Sequence, residues 1–288
     1  MKRSLSLGML VLLCAAATAS ADLIWYDGQG ADSTYVNTTY DAGGLAYTLA
    51  NGKALTVSGG KRTTSGAGDP SGNDYFGLNP TSGDAWDMAG LYDAGTDTIG
   101  GGDVEGTLYL SVLVRAHQSV SAVTEEKDGT APDGAYAALQ IQGGPSSLSL
   151  GNNWNAWAYS IFGVAGTRDL RQASGGTTYL SYNTSVHMLL AKITYHAGAA
   201  DDLVVWLDPN PSNGDAQGDL IRRYAADAVG DISFDTVAYR SGNIPTTNSW
   251  DFDEVRFGTT MGSVTPTPAP MALPAGLFLM GLLIGRRR

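Results

Sequence analysis

Three acidic residues late in the chain have a spacing that could perform acid–base chemistry. Asp251 and Asp253 lie two positions apart, and Glu254 follows directly. Residues two positions apart in a β-strand point to the same face, and a retaining glycoside hydrolase needs two carboxylates about 5–5.5 Å apart. The alternative is structural, with these acids on an edge or closing strand where they meet solvent or cap turns. The choice depends on the element that carries them.

A second acidic segment, 208–219, has the spacing of a calcium-binding loop. Oxygen ligands at positions 1, 3, 5 and 12 of such a loop surround the cation. The residues at these offsets are Asp208, Asn210, Ser212 and Asp219, with Asp215 close by. However, the glycine of the template is displaced by one position, to Gly214, and two prolines stiffen the loop. We therefore predict a polar hairpin loop and no cofactor, with calcium as the alternative.

Two tryptophans could form a platform for sugar rings. Trp154 and Trp157 stand three positions apart, and aromatic side chains commonly line ligand sites. Because a regular strand would place them on opposite faces, at least one is assigned to the core. Carbohydrate binding through this segment is therefore an alternative prediction.

Cysteine and histidine provide no recognisable site. The single cysteine, Cys14, lies in the N-terminal apolar segment, so the chain without that segment has no disulfide, thiol nucleophile or Cys-ligated metal. The three histidines, His117, His187 and His196, do not have the spacing of a metal site. The sequence also lacks a Gly-x-Ser-x-Gly motif and a phosphate-binding loop. We predict no catalytic residue and a non-enzymatic protein.

The first 21 residues have the pattern of a secretory signal peptide. Two basic residues follow Met1, and residues 5–17 are an apolar stretch too short to span a membrane stably. Ala19 and Ala21 then form an A-x-A cleavage site. We predict export and cleavage by signal peptidase.

Residues 265–288 form a Thr/Pro-rich spacer and a hydrophobic tail. The spacer is extended and cannot pack, and the apolar stretch 271–285 that follows is short. About 20 residues are needed to cross a bilayer as a helix, so this C-terminal helix is a marginal span. The terminal cluster Arg286, Arg287 and Arg288 favours a cytoplasmic C-terminus. We predict transient contact of this helix with the inner membrane in the precursor, with a permanent tail anchor as the alternative.

This three-part tail resembles the PEP-CTERM sorting signal of Gram-negative bacteria. The motif here is Pro268-Ala269-Pro270, with Ala269 where the family usually has Glu, and residues 271–275 resemble the related VPLPA variant. In that family an exosortase, a membrane cysteine protease, is thought to process the tail and release the protein. The resemblance implies an exosortase as a processing partner and a location at the cell surface or in the extracellular matrix.

Removing both ends leaves an acidic body. The whole chain has 17 basic and 28 acidic residues and a net charge of −11. Five of the basic residues and none of the acidic ones lie in the two ends, so the body has 17 − 5 = 12 basic and 28 acidic residues, a net charge of −16. Such a surface repels nucleic acid and anionic membranes. We predict no nucleic-acid partner.

The body, residues 22–264, has the period-two alternation of β-strands rather than the period of helices. Residues 186–195 are apolar on both faces, as in a central buried strand. Near its end, the alternation in 250–257 changes phase, which predicts a β-bulge at Asp253 and Glu254.

The remaining strand patterns and turns complete the predicted fold. Ile232, Phe234 and Ala238 are expected on one face of a strand, and Asn-Gly and Asp-Gly pairs mark turns. We predict an all-β jelly roll, a sandwich of two antiparallel sheets.

The order of these segments resembles the concanavalin A-like, LamG-related domains found in many PEP-CTERM proteins. The most telling part is the closing run of residues 253–258, Asp-Glu-Val-Arg-Phe-Gly, and the resemblance covers about residues 70–264. It implies a concanavalin A-like sandwich, a fold shared by lectins, hydrolases and adhesive modules, and a closing strand at 250–257. The Glu-x-Asp-x-x-Glu pattern of laminarinase-type enzymes is absent, so we favour the structural interpretation of Asp251 and Asp253.

Together these observations predict a chain of three parts: signal peptide 1–21, β-sandwich 22–264, and spacer with sorting tail 265–288. The predicted function is that of an exported, non-enzymatic protein at the cell surface or in the matrix of a Gram-negative-type bacterium. The alternative is a lectin-like module with extracellular polysaccharide as its partner. A divergent polysaccharide hydrolase is the third possibility.

Overall fold

The computed structural model describes residues 23–27, 41–48, 54–58, 62–65, 74–117, 136–143, 148–152, 159–162, 184–210, 219–224, 230–242 and 249–265. Sixteen strands and two short helices lie within these ranges. In chain order they are β1 (Leu23–Asp27), β2 (Asp41–Thr48), β3 (Ala54–Ser58), β4 (Arg62–Ser65), β5 (Asp74–Gly77), α1 (Ala85–Met88), β6 (Tyr92–Asp93), β7 (Thr98–Gly100), β8 (Gly106–Ala116), β9 (Tyr136–Gly143), β10 (Leu148–Asn152), β11 (Tyr159–Phe162), β12 (His187–His196), β13 (Ala199–Leu207), β14 (Asp219–Tyr224), β15 (Ser233–Gly242), β16 (Ser249–Gly258) and α2 (Met261–Val264).

The first sheet contains seven antiparallel strands. Their order is β1-β16-β8-β12-β13-β14, with β4 also paired to β16. The central strand β12 lies between β8 and β13, which confirms the prediction made from its two apolar faces. The hairpin predicted around 208–219 is also formed, because β13 and β14 pair antiparallel with Leu207 opposite Asp219.

The second sheet packs against the first. Its strand order is β11-β10-β9-β15-β7-β6, with β5 also paired to β15, and all pairs are antiparallel. Residues from both sheets form one core cluster, to which β8 contributes Leu108, Leu110 and Val112 and β9 contributes Leu139 and Ile141. The predicted jelly-roll sandwich of two antiparallel sheets is therefore confirmed.

Aromatic rings occupy the centre of the core. Trp86 of α1 packs edge-on against Phe257 and Phe234, with ring centroids 5.7 and 6.4 Å apart, and Trp25 packs against Phe257 at 5.4 Å. Edge-to-face contacts of this kind are the favoured geometry of aromatic pairs. The N-cap of α1, Asp84, accepts a hydrogen bond from the backbone nitrogen of Trp86 at 2.8 Å, which fixes the helix over the core.

The outer side of the first sheet is covered in two places. Leu45 and Tyr47 of β2 pack on Leu113 and Met188, and α2 packs on a separate cluster that includes Leu190. Because of this cover, β8 and β12 are buried on both faces.

A bulge in β16 determines which of its residues face the core. The register with β8 shifts between Asp253 and Arg256, and Glu254 between them has a φ of +52°. The predicted bulge is thus confirmed. It brings Phe252 and Val255, three positions apart, into the same core cluster.

A second bulge, in β15, corrects a prediction. The register with β9 shifts between Phe234 and Thr236, so Asp235 is an extra residue in β15. As a result Val237, and not Ala238, joins Phe234 in the core cluster. The prediction that Ala238 shares the face of Phe234 was wrong, because a bulge reverses the alternation that follows it.

The two ends of the chain lie outside the described residues. The predicted signal peptide 1–21, most of the tail 265–288 and the helix at 271–285 fall there, and they stay predictions. Within the described ranges, no helix has the length and apolar character needed to cross a membrane.

Candidate functional site

The outward side of the second sheet carries a group of polar side chains. In β9, β10 and β15, core-facing residues such as Leu139, Leu150 and Tyr239 alternate with residues on the opposite side. We call these outward residues the polar face. They are Ala138, Gln140, Gln142, Ser149, Gly151, Thr236, Ala238 and Arg240.

The strand register arranges the polar face in rows. Gln140 of β9 lies opposite Ser149 of β10 on one side and opposite Ala238 of β15 on the other. Arg240 lies opposite Ala138 in the next row, and its Nη1 donates a hydrogen bond to Oε1 of Gln140 at 2.9 Å. The long side chains of Gln140 and Arg240 therefore stand beside small neighbours.

The polar face is open in part. Gln142, Thr236 and Arg240 are half-buried, whereas Gln140 is 8% exposed and Ser149 is fully buried. A ligand that contacts the half-buried residues would thus approach polar groups already shielded from bulk water, where hydrogen bonds are stronger.

Two groups on this face lack a hydrogen-bond partner within the protein. They are Oγ of Ser149 and Nε of Arg240, and both atoms are buried. A buried polar group without a partner costs about 1–3 kcal/mol, and nearly all such groups in folded proteins are satisfied by protein or by water. Because both atoms are buried, a molecule bound to this face would contact the half-buried Gln142, Thr236 and Arg240 instead.

Arg240 also differs electrostatically from two other arginines of the described chain. Arg115 is paired with Asp251, and Arg256 is paired with Glu254. Among the residues that the structure describes, no carboxylate lies within ion-pair distance of Arg240. The polar face therefore combines neutral amides and hydroxyls with an arginine that has no anionic partner in the described part of the chain. These groups suit the binding of a polar, hydroxyl-bearing molecule.

The three acids considered for catalysis are buried inside the first sheet. Asp251, Asp253 and Glu254 are each 0% exposed. Their strand, β16, has β8 on one side and both β1 and β4 on the other. The alternative in which these acids meet solvent was wrong, because other groups cover them: Leu45 of β2 lies against Asp253, and Arg115 and His117 contact Asp251.

Two of these carboxylates bind arginines. Asp251 accepts a hydrogen bond from Nε of Arg115 at 3.0 Å. Glu254 accepts hydrogen bonds from Nη2 and Nε of Arg256 at 2.8 and 3.1 Å and another from the hydroxyl of Tyr26. These contacts join β16 to β8 and β1, so the acids stabilise the sheet.

Asp253 links the β2–β3 hairpin to the first sheet by a hydrogen bond. Its Oδ2 accepts a hydrogen bond from the backbone nitrogen of Leu45 at 2.9 Å, and its Oδ1 accepts one from the backbone nitrogen of Glu254 at 2.8 Å. Burial raises the pKa of Asp253 to about 7, although the two backbone donors act in the opposite direction.

We expect Asp253 to make the protein less stable at neutral than at mildly acidic pH. Its pKa of about 7 in the folded state exceeds the unfolded value of about 3.9, so its contribution to the free energy of unfolding is present below about pH 4 and is lost as the pH rises through 7. Urea unfolding between about pH 4 and pH 8 should therefore give a flatter profile for Asp253→Asn than for the wild type. Equal pH dependence in the two proteins would contradict this assignment.

Asp208, the first residue of the predicted calcium loop, is engaged by protein donors. Its Oδ1 accepts hydrogen bonds from the backbone nitrogen of Met188 at 2.9 Å and the hydroxyl of Tyr47 at 3.1 Å. Its Oδ2 lies 2.6 Å from Nδ1 of His187. The carboxylate thus joins the end of β13 to β12 and β2. In the described part of the chain, no three acidic or histidine side chains are placed to hold a metal ion.

The other predicted site residues are only partly covered by the structure. Asn210 is half-buried after β13, and Asp219 begins β14. The predicted residues outside the described ranges are Ser212, Asp215, Trp154, Trp157, Ala19, Ala21, Pro268, Ala269, Pro270, Arg286, Arg287 and Arg288. The calcium, tryptophan-platform, cleavage and sorting assignments therefore stay predictions.

The polar face was not predicted as a site from the sequence. A signal was present in β9, where Gln140 and Gln142 alternate with Leu139 and Ile141. Arg240 could not be placed beside Gln140, since strand register is not visible in the sequence and the β15 bulge shifts it.

Comparisons with known proteins give similarities of shape only. No protein-family model matches the chain, and no curated protein matches it. Among solved structures, an endo-β-1,4-glucuronan lyase from the fungus Trichoderma reesei is 13% identical, with a TM-score of 0.41 over 86% of this chain and 100% of that chain.

Two botulinum neurotoxin structures are similar at the same level. The receptor-binding domain of neurotoxin D is 13% identical, with a TM-score of 0.40 over 84% of this chain. The serotype D ligand-binding domain in complex with N-acetylneuraminic acid is 13% identical, with a TM-score of 0.38 over 83% of this chain. The chain spans about half the length of these toxin chains, 50% and 48%. Similarities this distant say nothing about the activity of this chain.

Proposed function

We propose that this protein is an exported, non-enzymatic surface protein whose β-sandwich binds an extracellular polysaccharide through the polar face. The observation that carries the proposal is the half-buried set of Gln142, Thr236 and Arg240 at the open part of that face. Sugar hydroxyls both donate and accept hydrogen bonds, so one polymer can pair with an amide, a hydroxyl and a guanidinium together. The amides of Gln140 and Gln142 add further donors and acceptors on the same face.

The proposed location rests on the two ends of the chain. A signal peptide at 1–21 supports export, and the proline motif, apolar stretch and arginine cluster of 265–288 support processing by an exosortase. Mass spectrometry of the extracellular protein is the test of this part. Peptides from 271–288 should be missing from the released protein, and their presence would contradict cleavage of the tail.

The binding part of the proposal predicts that Gln142→Ala weakens polysaccharide binding. Gln142 is half-buried at the open part of the polar face, and a hydrogen bond between uncharged groups contributes about 0.5–1.5 kcal/mol, or roughly a twofold to tenfold change in affinity. Affinity electrophoresis of the purified full-length chain in gels containing dextran, a mixed-linkage β-glucan or a polyuronate measures this change.

The matched control is Lys192→Ala, a half-buried residue of β12 in the other sheet. This variant should bind each polymer like the wild type. Failure of the wild type to bind any of these polymers, or equal weakening by both substitutions, would refute binding through the polar face.

A further inference from the structure

We infer that the polar face selects neutral polysaccharides over acidic ones, because Asp235 beside it accepts hydrogen bonds from sugar hydroxyls. This inference rests on the proposed function and specifies the class of polymer. It also assigns Asp235 as a specificity-determining residue of the site.

The bulge in β15 brings Asp235 to the open part of the polar face. Asp235 is the extra residue of the bulge and directly precedes the outward-facing Thr236. Oγ1 of Thr236 donates a hydrogen bond to Oδ1 of Asp235 at 2.7 Å, so the carboxylate stands beside this hydroxyl. Bulges often redirect a side chain next to a functional site. Here the bulge adds an anionic group to the open part of the face.

The carboxylate of Asp235 is accessible to a ligand. The residue is half-buried, and its Oδ2 has no hydrogen-bond partner within the described residues and is not buried. The side-chain amide of Gln142, which lies opposite Thr236, is likewise unpartnered there and not buried. A bound molecule can therefore reach these groups, in contrast to the buried Oγ of Ser149 and Nε of Arg240.

Two glycines leave room for polar groups beside Thr236. A Cβ added to Gly143 would lie 2.1 Å from Oδ1 of Asp235, and one added to Gly77 would lie 3.2 Å from Oδ1 of Asn79. Gly77 is opposite Thr236, and opposite residues share a face of the sheet. The exposed amide of Asn79 therefore stands on the outward side next to Thr236, where its Nδ2 donates a hydrogen bond to the carbonyl oxygen of Gly77 at 3.3 Å.

These side chains form a row across three strands. Asn79 follows β5, Asp235 and Thr236 belong to β15, and Gln142 belongs to β9, with β15 between the other two. Two strand spacings amount to about 10 Å. A polymer that lies across the strands at this row would contact a carboxylate with an amide on either side of it.

The hydrogen-bonding groups of the row favour a ligand that donates hydrogens. An ionised carboxylate only accepts hydrogen bonds, and the hydroxyl hydrogen of Thr236 is already used in the bond to Asp235. A sugar hydroxyl can donate to both oxygens, and its bond to a carboxylate is about twice as strong as a bond between neutral groups. A uronate or sulfate group has no hydrogen to donate and would meet a like charge at Asp235.

No cation near the row offsets the charge of Asp235. Among the residues that the structure describes, none lies within ion-pair distance of its carboxylate. Arg240 lies four positions beyond Thr236 in β15, a distance of about 13 Å along a strand. This exceeds the Debye length of about 8 Å at 0.15 M salt. Asp235 therefore determines the charge that a ligand meets at this row.

The test compares neutral and acidic forms of the same polymer. The pairs are a mixed-linkage β-glucan with the same glucan oxidised to carboxylates at C6, and methyl-esterified polygalacturonate with polygalacturonate. The full-length chain is assayed by calorimetry at about 0.15 M salt, which screens long-range repulsion by the acidic body. In at least one pair the neutral form should bind about tenfold or more tightly, because the acidic form exchanges a charge-assisted hydrogen bond for repulsion between like charges.

Two variants of Asp235 identify the residue responsible. Asp235→Asn has nearly the same shape and keeps an acceptor for Thr236, so it should weaken binding of the neutral form and strengthen binding of the acidic form. A purely structural role of Asp235 would weaken both. Asp235→Glu keeps the charge and moves it outward, so it should lose affinity for the neutral form while the acidic form still binds more weakly.

The matched control is Asp202→Asn, which removes the same charge from a half-buried position in β13 of the other sheet. It should leave the ratio of the two affinities unchanged. A change in this ratio equal to that of Asp235→Asn would assign the selectivity to the net charge of the body and overturn the inference.

The remaining failures are separable. Binding of the acidic form as tightly as the neutral form in every pair, or an unchanged ratio in Asp235→Asn, would overturn the inference while the proposed polysaccharide binding stands. Absence of binding to every acidic and neutral polymer would overturn both.

Discussion

Replacing Glu254 with leucine is expected to lower the free energy of unfolding by about 3–5 kcal/mol, the usual cost of removing one partner of a buried ion pair. Arg256 is 3% exposed and donates two hydrogen bonds to Glu254. Its guanidinium also stacks over the ring of Tyr26, 4.4 Å from the ring centroid. Without Glu254, the buried charged guanidinium would lose both of these hydrogen bonds, and the hydroxyl of Tyr26 would lose the acceptor that Glu254 provides. Chemical denaturation of both proteins at neutral pH gives the difference directly.

The double variant Glu254→Leu/Arg256→Met is the control for this result. Replacing both ions with apolar side chains removes both buried charges, and such replacements are often neutral or stabilising. We therefore expect the double variant to regain most of the stability lost in Glu254→Leu. If the double variant is as unstable as the single one, strain at the bulge and not the ion pair dominates, and the ion-pair account is wrong.

Gly100→Ala is the second substitution with a large expected effect, a loss of about 3 kcal/mol or more from overpacking and backbone strain combined. Gly100 has a φ of +74°, and an added Cβ would lie 2.3 Å from Cε1 of Tyr195 and 2.4 Å from the carbonyl oxygen of Ile232. Tyr195 is fully buried, so its ring has no free space into which to move. The melting temperature and the urea midpoint should both fall.

Gly198→Ala is a closely matched control. Gly198 has a φ of +71°, almost that of Gly100, but an added Cβ there meets nothing within 4 Å. This variant therefore carries only the backbone cost of a left-handed alanine, about 1–2 kcal/mol. The difference between the two variants isolates the packing contribution. Similar losses in both would show that Gly100 is needed for its backbone angle alone.

The parts of the fold that the sequence predicted are those determined by local pattern. The apolar run of β12 placed it at the centre of a sheet, because a strand without a polar face needs cover on both sides. The phase change at Asp253 and Glu254 predicted the bulge in β16. Trp250 and Phe252 before it and Val255 and Phe257 after it can face one core only if the alternation is interrupted between them. Both inferences needed only neighbouring residues.

The features of the fold that were not predicted from the sequence depend on contacts between residues far apart in the chain. The bulge at Asp235 has no phase change strong enough to reveal it, so Ala238 was assigned to the wrong face. β1 and β4, which pair with β16, and β2, which lies against Asp253, are all far from β16 in the chain. The polar face was missed for the same reason, because Gln140 and Arg240 are brought together by the pairing of β9 with β15.

The most direct test of the account is whether a polysaccharide covers the polar face. Cys14 is the only cysteine of the chain, so Gln142→Cys in a Cys14→Ser background places a single thiol on this face, and Lys192→Cys in the same background places one on the other sheet. The alkylation rate of each thiol is measured with and without a saturating amount of the tightest-binding polymer. The account predicts that the polymer slows alkylation at position 142 by about tenfold or more, as expected for a thiol shielded in a bound complex, and leaves position 192 unchanged. Equal rates at position 142 with and without bound polymer would contradict it.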